Sequence, residues 1–268
     1  MKKASITVLS FNRFIYLKNT IQSLLESINN RNNVEIIIVD NGSKDESPSY
    51  IRELLKLKII DRAILFKENQ GISKGYNSGF AISDPESKYL IKLDCDVIIH
   101  HKGWLEEMDQ IFEEDDSIAL LMLFQENHPT MKYRKHTKHL GRTFISLEEI
   151  IVGSACFTIP RKIINEIGFF FEEHDYLLFY DDIDYFIRIE MINKKGYYLL
   201  SHTSSYQEHL DETIYQKYDK DKDPLYARMN AFHKVLEKNY LSGQFPLKRF
   251  YPRLDELAEL RESILIEL

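Results

Sequence analysis

An open, doubly wound α/β sheet is the fold class this sequence predicts, and three observations predict it. Four apolar, β-rich runs, "SITVLSF", "VEIIIVD", "IIDRAILF" and "KYLIKLD", fall in the first hundred residues. Their continuous apolar character marks strands covered on both faces, as in a parallel sheet. Segments with helical periodicity separate them, and right-handed βαβ crossovers then build an open sheet with helices on both sides. Two of the runs also end on acids, at Asp40 and Asp94. The carboxyl ends of the strands are where such sheets hold their ligands.

Taken in order, "MKKASITVLSFNR" begins like a charged leader, but its apolar run is short and meets Asn12 and Arg13, which makes it a first strand. Leu17, Ile21, Leu24, Leu25 and Ile28 then form one face of an amphipathic helix. Ser47 followed by Pro48 starts a second helix, with Tyr50, Ile51, Leu54 and Leu55 inward. "GISKGYNSGFAI" supplies a third, and "WLEEMDQIFEED" a fourth with Trp104, Leu105, Met108, Ile111 and Phe112 inward. "SIALLMLF" is a strand, and residues 125–150 read as a polar, basic loop or flap. "EIIVGSACFTIP" is strand-like and leads to a short helix ending at Gly168. A helix over "DDIDYFIRIEMINKKG", closed by Gly196, precedes a short strand "YYLLSH". From about residue 210 charge alternates with Leu, Tyr and Phe, and Leu254, Leu257, Leu260 and Ile264 predict a helix running through "RLDELAELRESILIEL".

Composition narrows the function classes. The 268 residues are 44% hydrophobic and 29% charged, as in a folded globular protein, and no stretch approaches the eighteen apolar residues of a membrane span. A net charge of −7 argues against nucleic-acid binding. Cys95 and Cys156 give neither a disulfide framework nor metal-ligand spacing, which suits a reducing cytoplasm. Against the acidic background the basic run 132–142 stands out, either as a solvated loop or as cations that meet a diphosphate or a phosphorylated or lipid-linked acceptor.

The sharpest motif is "DCD", Asp94 to Asp96. Two carboxylates two positions apart on extended backbone point the same way and repel each other. A hard divalent cation such as Mn²⁺ or Mg²⁺, bridging to a diphosphate, relieves that repulsion with oxygen ligands. "YDDIDYFIRIE" places Asp181, Asp182 and Asp184 at a helix start. Asp184 pairs with Arg188 at i, i+4. Asp181 and Asp182 either cap the helix dipole or provide acid–base chemistry at a pocket rim. "ENQGISKGYNSGF" offers glycines and asparagines around a helix start, a setting that can hold phosphate or ribose without matching a dinucleotide or P-loop pattern. His202 follows the acidic helix and is a candidate metal ligand.

In this order, "ITVLSFNR", "IIIVDNGSKDES", "NQGISKGYNSGF", "LDCDV", the "YDDIDYFIR" helix and "SHTSS" resemble the family 2 inverting glycosyltransferases. The resemblance covers roughly residues 4–210. It implies the GT-A (nucleotide-diphospho-sugar transferase) fold, an open mostly parallel sheet flanked by helices, with a helical C-terminal extension over 211–268. Residues 1–210 would be the transferase domain, 1–100 its nucleotide-binding half and 101–210 its acceptor and catalytic half. By the same resemblance Leu9, Ser10 and Phe11 lie beside the nucleotide base and Asp40 accepts the N3–H of uracil or thymine. Asn69, Gly71 and Asn77 border nucleotide and sugar. Asp96 ligates the metal, with Asp94 nearer the ribose or sugar and also a candidate ligand, and His202 completes the site. Asp182 is the general base, Asp181 standing where the family usually has Glu. "VGSACF" and "EEHDY" (172–176) line the acceptor side.

The implied activity is metal-dependent transfer, with inversion, from a UDP- or dTDP-sugar to a hydroxyl of a glycan, lipid-linked or protein acceptor. The implied protein is cytoplasmic, at most peripheral at the inner face of a membrane, and open to homodimer formation. Two rivals remain. A sugar-phosphate nucleotidyltransferase needs a Gly-rich phosphate loop after the first strand, which "SFNRFIYL" lacks. A non-catalytic GT-A-like binding domain would not need Asp94, Asp96 and Asp182 together.

Overall fold

The computed structural model describes residues 3–127, 135–146, 155–172, 180–208 and 233–268. Its centre is one mixed sheet whose strands lie in the order β11-β3-β2-β1-β4-β9-β6-β10-β8-β7, with β5 pairing β10. β1 (Ala4–Ser10), β2 (Val34–Asp40), β3 (Arg62–Leu65) and β4 (Tyr89–Asp94) form the parallel half predicted from the apolar runs. β9 (Cys156–Pro160) runs antiparallel between β4 and β6 (Ile118–Gln125), and β10 (Lys195–Tyr206) returns parallel to β6.

Alternation along each strand divides the core into two layers. Ile36 and Ile38 face one cluster with Leu17, Ile21 and Leu24 of α1 (Phe14–Ser27), Ile51 and Leu54 of α2 (Ser47–Lys56), and Trp104, Met108 and Ile111 of α4 (Trp104–Glu114). Ile37 and Val39 face the other, with Tyr76 and Phe80 of α3 (Ile72–Ala81), Ile163 and Ile164 of α5 (Arg161–Ile167), and Tyr185 and Ile189 of α6 (Tyr180–Met191). This two-sided burial is the physical cause of the uninterrupted apolar strands.

Three local readings of the sequence are corrected. The 125–150 segment is not wholly a loop, because β7 (His136–His139) and β8 (Arg142–Ser146) make a hairpin on the outer edge of β10. Two of its side chains are engaged: Arg142 pairs with Glu114 at 2.6 Å and the His139 ring nitrogen lies 2.6 Å from Asp115, so this part of the basic run is fixed to the acids of α4 and just beyond it. The chain turns after α6 at Asn193, with φ of 55°, while Gly196 lies inside β10. β5 (Val97–Ile99) follows "DCD" directly and holds it against β10.

The third correction concerns the C-terminal segment. Residues 233–241 form α7 and α8 spans Pro252–Glu259, but the predicted helix stops there. Leu254 and Leu257 are buried, whereas Leu260 and Ile264 are 43% and 63% exposed. β11 (Leu265–Glu267) adds in parallel to the open edge of β3, fixed by backbone bonds from Ala63 to Ile264, Lys67 to Leu268 and Leu268 to Leu65. Among the described residues no helix is long and apolar enough to cross a membrane.

Candidate active site

Three neighbouring strands end side by side at the carboxyl edge of the sheet. Ser10 is the register partner of Asp40, and Leu9 that of Asp94, so the ends of β2, β1 and β4 form one ledge. With strands about 4.8 Å apart, Asp40 and Asp94 sit roughly 10 Å from each other.

Asp40 is buried, and burial raises its pKa above the ordinary carboxylate value. Its Oδ1 accepts from the Ser43 backbone N–H at 2.9 Å, while Oδ2 is buried with no partner among the described residues, as is Ser10 Oγ. Two buried polar atoms at adjacent strand ends thus have acceptor or donor capacity that the described residues do not use. The segment "NGSKDES" builds the wall around them. Asn12 N–H donates to Ser43 Oγ at 2.9 Å, Lys44 N–H to Asn12 Oδ1 at 2.7 Å, and Phe14 N–H to Asp45 Oδ2 at 2.9 Å. Gly42, at φ of 86°, lets this loop touch the backbone of Glu68, where a Cβ would stand 2.7 Å from it. Phe11 is exposed beside this wall.

Asn69 and Gly71 form the next stretch of rim, and Asn41, missed in the sequence, holds them. Its Nδ2 donates to Asn69 Oδ1 at 2.9 Å and to Gly71 O at 3.1 Å, and its Oδ1 accepts from Gln70 N–H at 2.9 Å. Asn69 Oδ1 in turn receives Gly71 N–H at 2.8 Å. Asn41→Ala removes the partner of Gln70 N–H and the brace to Asn69 and Gly71, and is expected to cost about 1–3 kcal/mol of stability. Chemical denaturation of the variant measures this, and an unchanged midpoint would refute the bracing role. Asn77 is not brought to the ledge. It is buried in α3 with its amide bound to Phe170 O at 2.9 Å, Glu172 Oε1 at 2.7 Å and Phe170 N–H at 2.9 Å.

Asp94 accepts from Tyr76 Oη at 2.6 Å and lies 3.2 Å from the buried Lys92 ammonium. Lys92 is a charge inside an apolar strand, a signal the sequence carried. Asp96 is buried, and burial raises its pKa to about 6, with Arg13 opposing and the charges of Asp94 and Glu208 adding to the rise. Arg13 bridges Asp96 and Glu208, the second contact at 2.6 Å. Neither Arg13 nor Glu208 stood out in the sequence, since their meeting depends on a contact between segments far apart in the chain.

His202 does not join this cluster. Its Nδ1 lies 2.6 Å from Glu107 Oε2 and its Nε2 3.0 Å from Lys102 O. Tyr206 is the register partner of Val97, so the part of β10 that reaches Asp96 lies four residues, about 13 Å, beyond His202. The shared metal expected of His202 and Asp96 has no support in this geometry.

Asp94 and Asp96 suit a hard divalent cation in kind: carboxylate oxygens, with Glu208 adding a third negative charge nearby. Among the described residues no three His, Cys, Asp or Glu side chains stand in metal-holding geometry.

α6 leads into β10, which is parallel to β6, so the first turn of α6 lies at the carboxyl edge of the sheet. Phe186 stacks on Phe157, the register partner of Lys92, at 5.7 Å between ring centroids. Asp182, one turn earlier, therefore approaches the Asp94 level, and its Oδ1 accepts from the Ile183 backbone N–H at 2.8 Å. The side chain of Asp181, residues 132–134 of the basic run, 152–154 of "VGSACF" and 173–176 of "EEHDY" lie outside the described residues.

Comparison with known proteins gives the family and the fold. The profile of Glycosyl transferase family 2 matches residues 5–184. The minor teichoic acid biosynthesis protein GgaA of Bacillus subtilis is 34% identical over 120 residues, 44% of this chain and 27% of that protein. The first three curated relatives are covered over 27% to 59% of their own length. The mannosyltransferase PcManGT of Pyrobaculum calidifontis, solved with GDP-Man and Mn²⁺, superposes with a TM-score of 0.62 at 12% identity, over 97% of this chain and 73% of that one. TarS residues 1–349 of S. aureus, solved with UDP, gives 0.58 at 17% identity, over 78% and 62%. At these identities the two structures establish the fold, which is GT-A.

Proposed function

The chain belongs to glycosyl transferase family 2, and from that premise we propose that it is a metal-dependent inverting glycosyltransferase using a UDP- or dTDP-sugar as donor. The observation that carries this reading is the buried Oδ2 of Asp40, without a partner among the described residues, on the same ledge as Asp94. Asp40 Oδ1 is already taken by Ser43, which leaves one acceptor atom for one donor. The single N3–H of uracil or thymine matches it. Cytosine has no N3–H, and guanine presents two donors on that edge. Leu9, Ser10 and Phe11 flank the base in this reading, and Asn69 and Gly71 border the nucleotide.

The roughly 10 Å from Asp40 to Asp94 suits a nucleoside diphosphate laid along the ledge. Asp94 and Asp96 would hold Mn²⁺ or Mg²⁺ beside the diphosphate, and the bound ion neutralises the charge that develops on this leaving group. Asp182 accepts the proton of the acceptor hydroxyl as its oxygen attacks the anomeric carbon. The bonding pair of the anomeric C–O bond departs with the nucleoside diphosphate, so configuration inverts in a single displacement. GgaA's role in teichoic acid biosynthesis favours a cell-surface glycan acceptor over the lipid-linked and protein alternatives. A cytoplasmic enzyme, at most peripheral on the membrane, completes the reading.

The test is calorimetric binding of UDP-, dTDP-, GDP- and CMP-sugars with and without Mn²⁺. Metal-dependent binding confined to uridine or thymidine nucleotides is expected, and Asp40→Ala should weaken it roughly tenfold to a hundredfold. Equal binding of the GDP- and UDP-sugars would refute the role given to Asp40.

A further inference from the structure

Arg13 is not among the residues that the family resemblance singles out, yet it occupies the most strongly charged corner of the site. Its guanidinium bridges Asp96 and Glu208, with Glu208 Oε1 at 2.6 Å. Asp94 stands two residues from Asp96 and is served by Tyr76 and Lys92 instead. Resting on the reading that Asp94 and Asp96 take a divalent cation, we infer that Arg13 is the resident counter-ion of this carboxylate cluster. The metal must displace it from Asp96 in order to bind.

Two features support displacement. First, the backbone around Asp96 is held without Arg13. Gln207 N–H donates to Asp96 O at 2.8 Å, and the Gln207 amide is clasped by Tyr16 O at 2.9 Å, Thr20 Oγ1 at 3.1 Å and Asn19 Nδ2 at 2.9 Å. Thr20 Oγ1 also donates to Cys95 O at 2.8 Å. The Arg13 side chain can therefore leave while α1, Cys95–Asp96 and Gln207 stay joined. Second, Arg13 precedes the first turn of α1 with its side chain one-third exposed, so it has solvent to move into.

The electrostatics make the two cations mutually exclusive. A guanidinium and a divalent ion on the same buried carboxylate repel each other at a few ångströms. Arginine stays charged throughout the working pH range, so it cannot yield by losing a proton and must move. The coupling is reciprocal: whatever Arg13 gains from Asp96 is subtracted from metal affinity. Glu208 keeps the displaced side chain close by, and in the metal-free protein Arg13 balances Asp96 and Glu208 together.

The experiment uses the full chain without nucleotide. Mn²⁺ is titrated into the wild type, Arg13→Gln and Arg13→Lys, with free Mn²⁺ followed by electron paramagnetic resonance and melting temperature recorded with and without metal. Arg13→Gln is expected to melt lower than wild type in chelator, to bind Mn²⁺ on the order of tenfold tighter, and to regain its melting temperature when Mn²⁺ saturates it. Arg13→Lys keeps the charge with fewer contacts and should fall between the two. It carries the comparison if the Gln variant does not fold. An Mn²⁺ affinity in the variants equal to or weaker than wild type overturns the counter-ion role and leaves the metal site standing. No saturable Mn²⁺ binding in any of the three proteins overturns the counter-ion role, and the Mn²⁺ dependence of nucleotide-sugar binding then decides the metal site separately.

Discussion

Asp182→Asn is expected to slow sugar transfer by roughly a hundredfold to ten-thousandfold while nucleotide-sugar affinity stays at the wild-type level. The amide keeps the shape of the carboxylate and its capacity to accept the Ile183 N–H, so the first turn of α6 is preserved. What the amide cannot do is take a proton from an attacking hydroxyl at neutral pH. The loss should fall on kcat, because the proton moves only as the transition state forms. Single-turnover transfer together with calorimetric donor binding separates the two quantities. A variant that transfers normally would remove Asp182 from the mechanism, and the same measurement on Asp181→Asn would show whether its neighbour holds the role.

Much of this site is legible in the sequence because strands buried on both faces leave a plain record. Apart from Glu35 and Lys92, the strands of "VEIIIVD" and "KYLIKLD" are apolar until the chain leaves the sheet, so their last residues, Asp40 and Asp94, identify the ledge. The helices that bury one stripe, such as α1 with Leu17, Ile21 and Leu24, are equally readable. Other elements leave no such record. β5 and β11 have three residues each, too few for periodicity to separate strand from helix. For β11 the sequence favoured another helical turn, but the unpaired edge of β3 supplied backbone hydrogen bonds that this turn would not have had.

Contacts between distant parts of the chain account for the remaining surprises. His202 has a metal-ligand side chain and follows the acidic helix, yet the pairing of β10 with β5 sets it at the wrong position along the strand and brings Glu208 to Asp96 instead. Arg13 in "SFNR" is one arginine among many until it meets residues 96 and 208. Asn41 looks like part of a polar turn, and only its bonds to Asn69, Gln70 and Gly71 show that it braces the opposite rim.

Asp184→Ala is expected to have the converse effect to Asp182→Asn: it should lower stability by about 3–5 kcal/mol and leave the chemistry of folded molecules intact. Asp184 and Arg188 are both fully buried, joined at 2.7 and 2.8 Å. Tyr240 donates to the other carboxylate oxygen, Arg249 lies 3.8 Å from it, and Arg249 itself donates to Tyr240 Oη at 2.9 Å. Removing the carboxylate strands two guanidinium groups in the interior. Arg188 also donates to Ile167 O and Phe169 O at 2.7 Å, and Gly168 accommodates the Arg249 carbonyl, where a Cβ would stand 1.9 Å away. The cluster therefore joins α6, the 167–169 turn and the C-terminal segment. For a chain of this size the melting temperature should fall by roughly 6–20 °C. An unchanged melting temperature would show that the charges are compensated elsewhere. Two positions along a helix correspond to a rotation of roughly 200°, so Asp182 and Asp184 face nearly opposite directions from one turn. That geometry is why one acid can be assigned to chemistry and the other to the core.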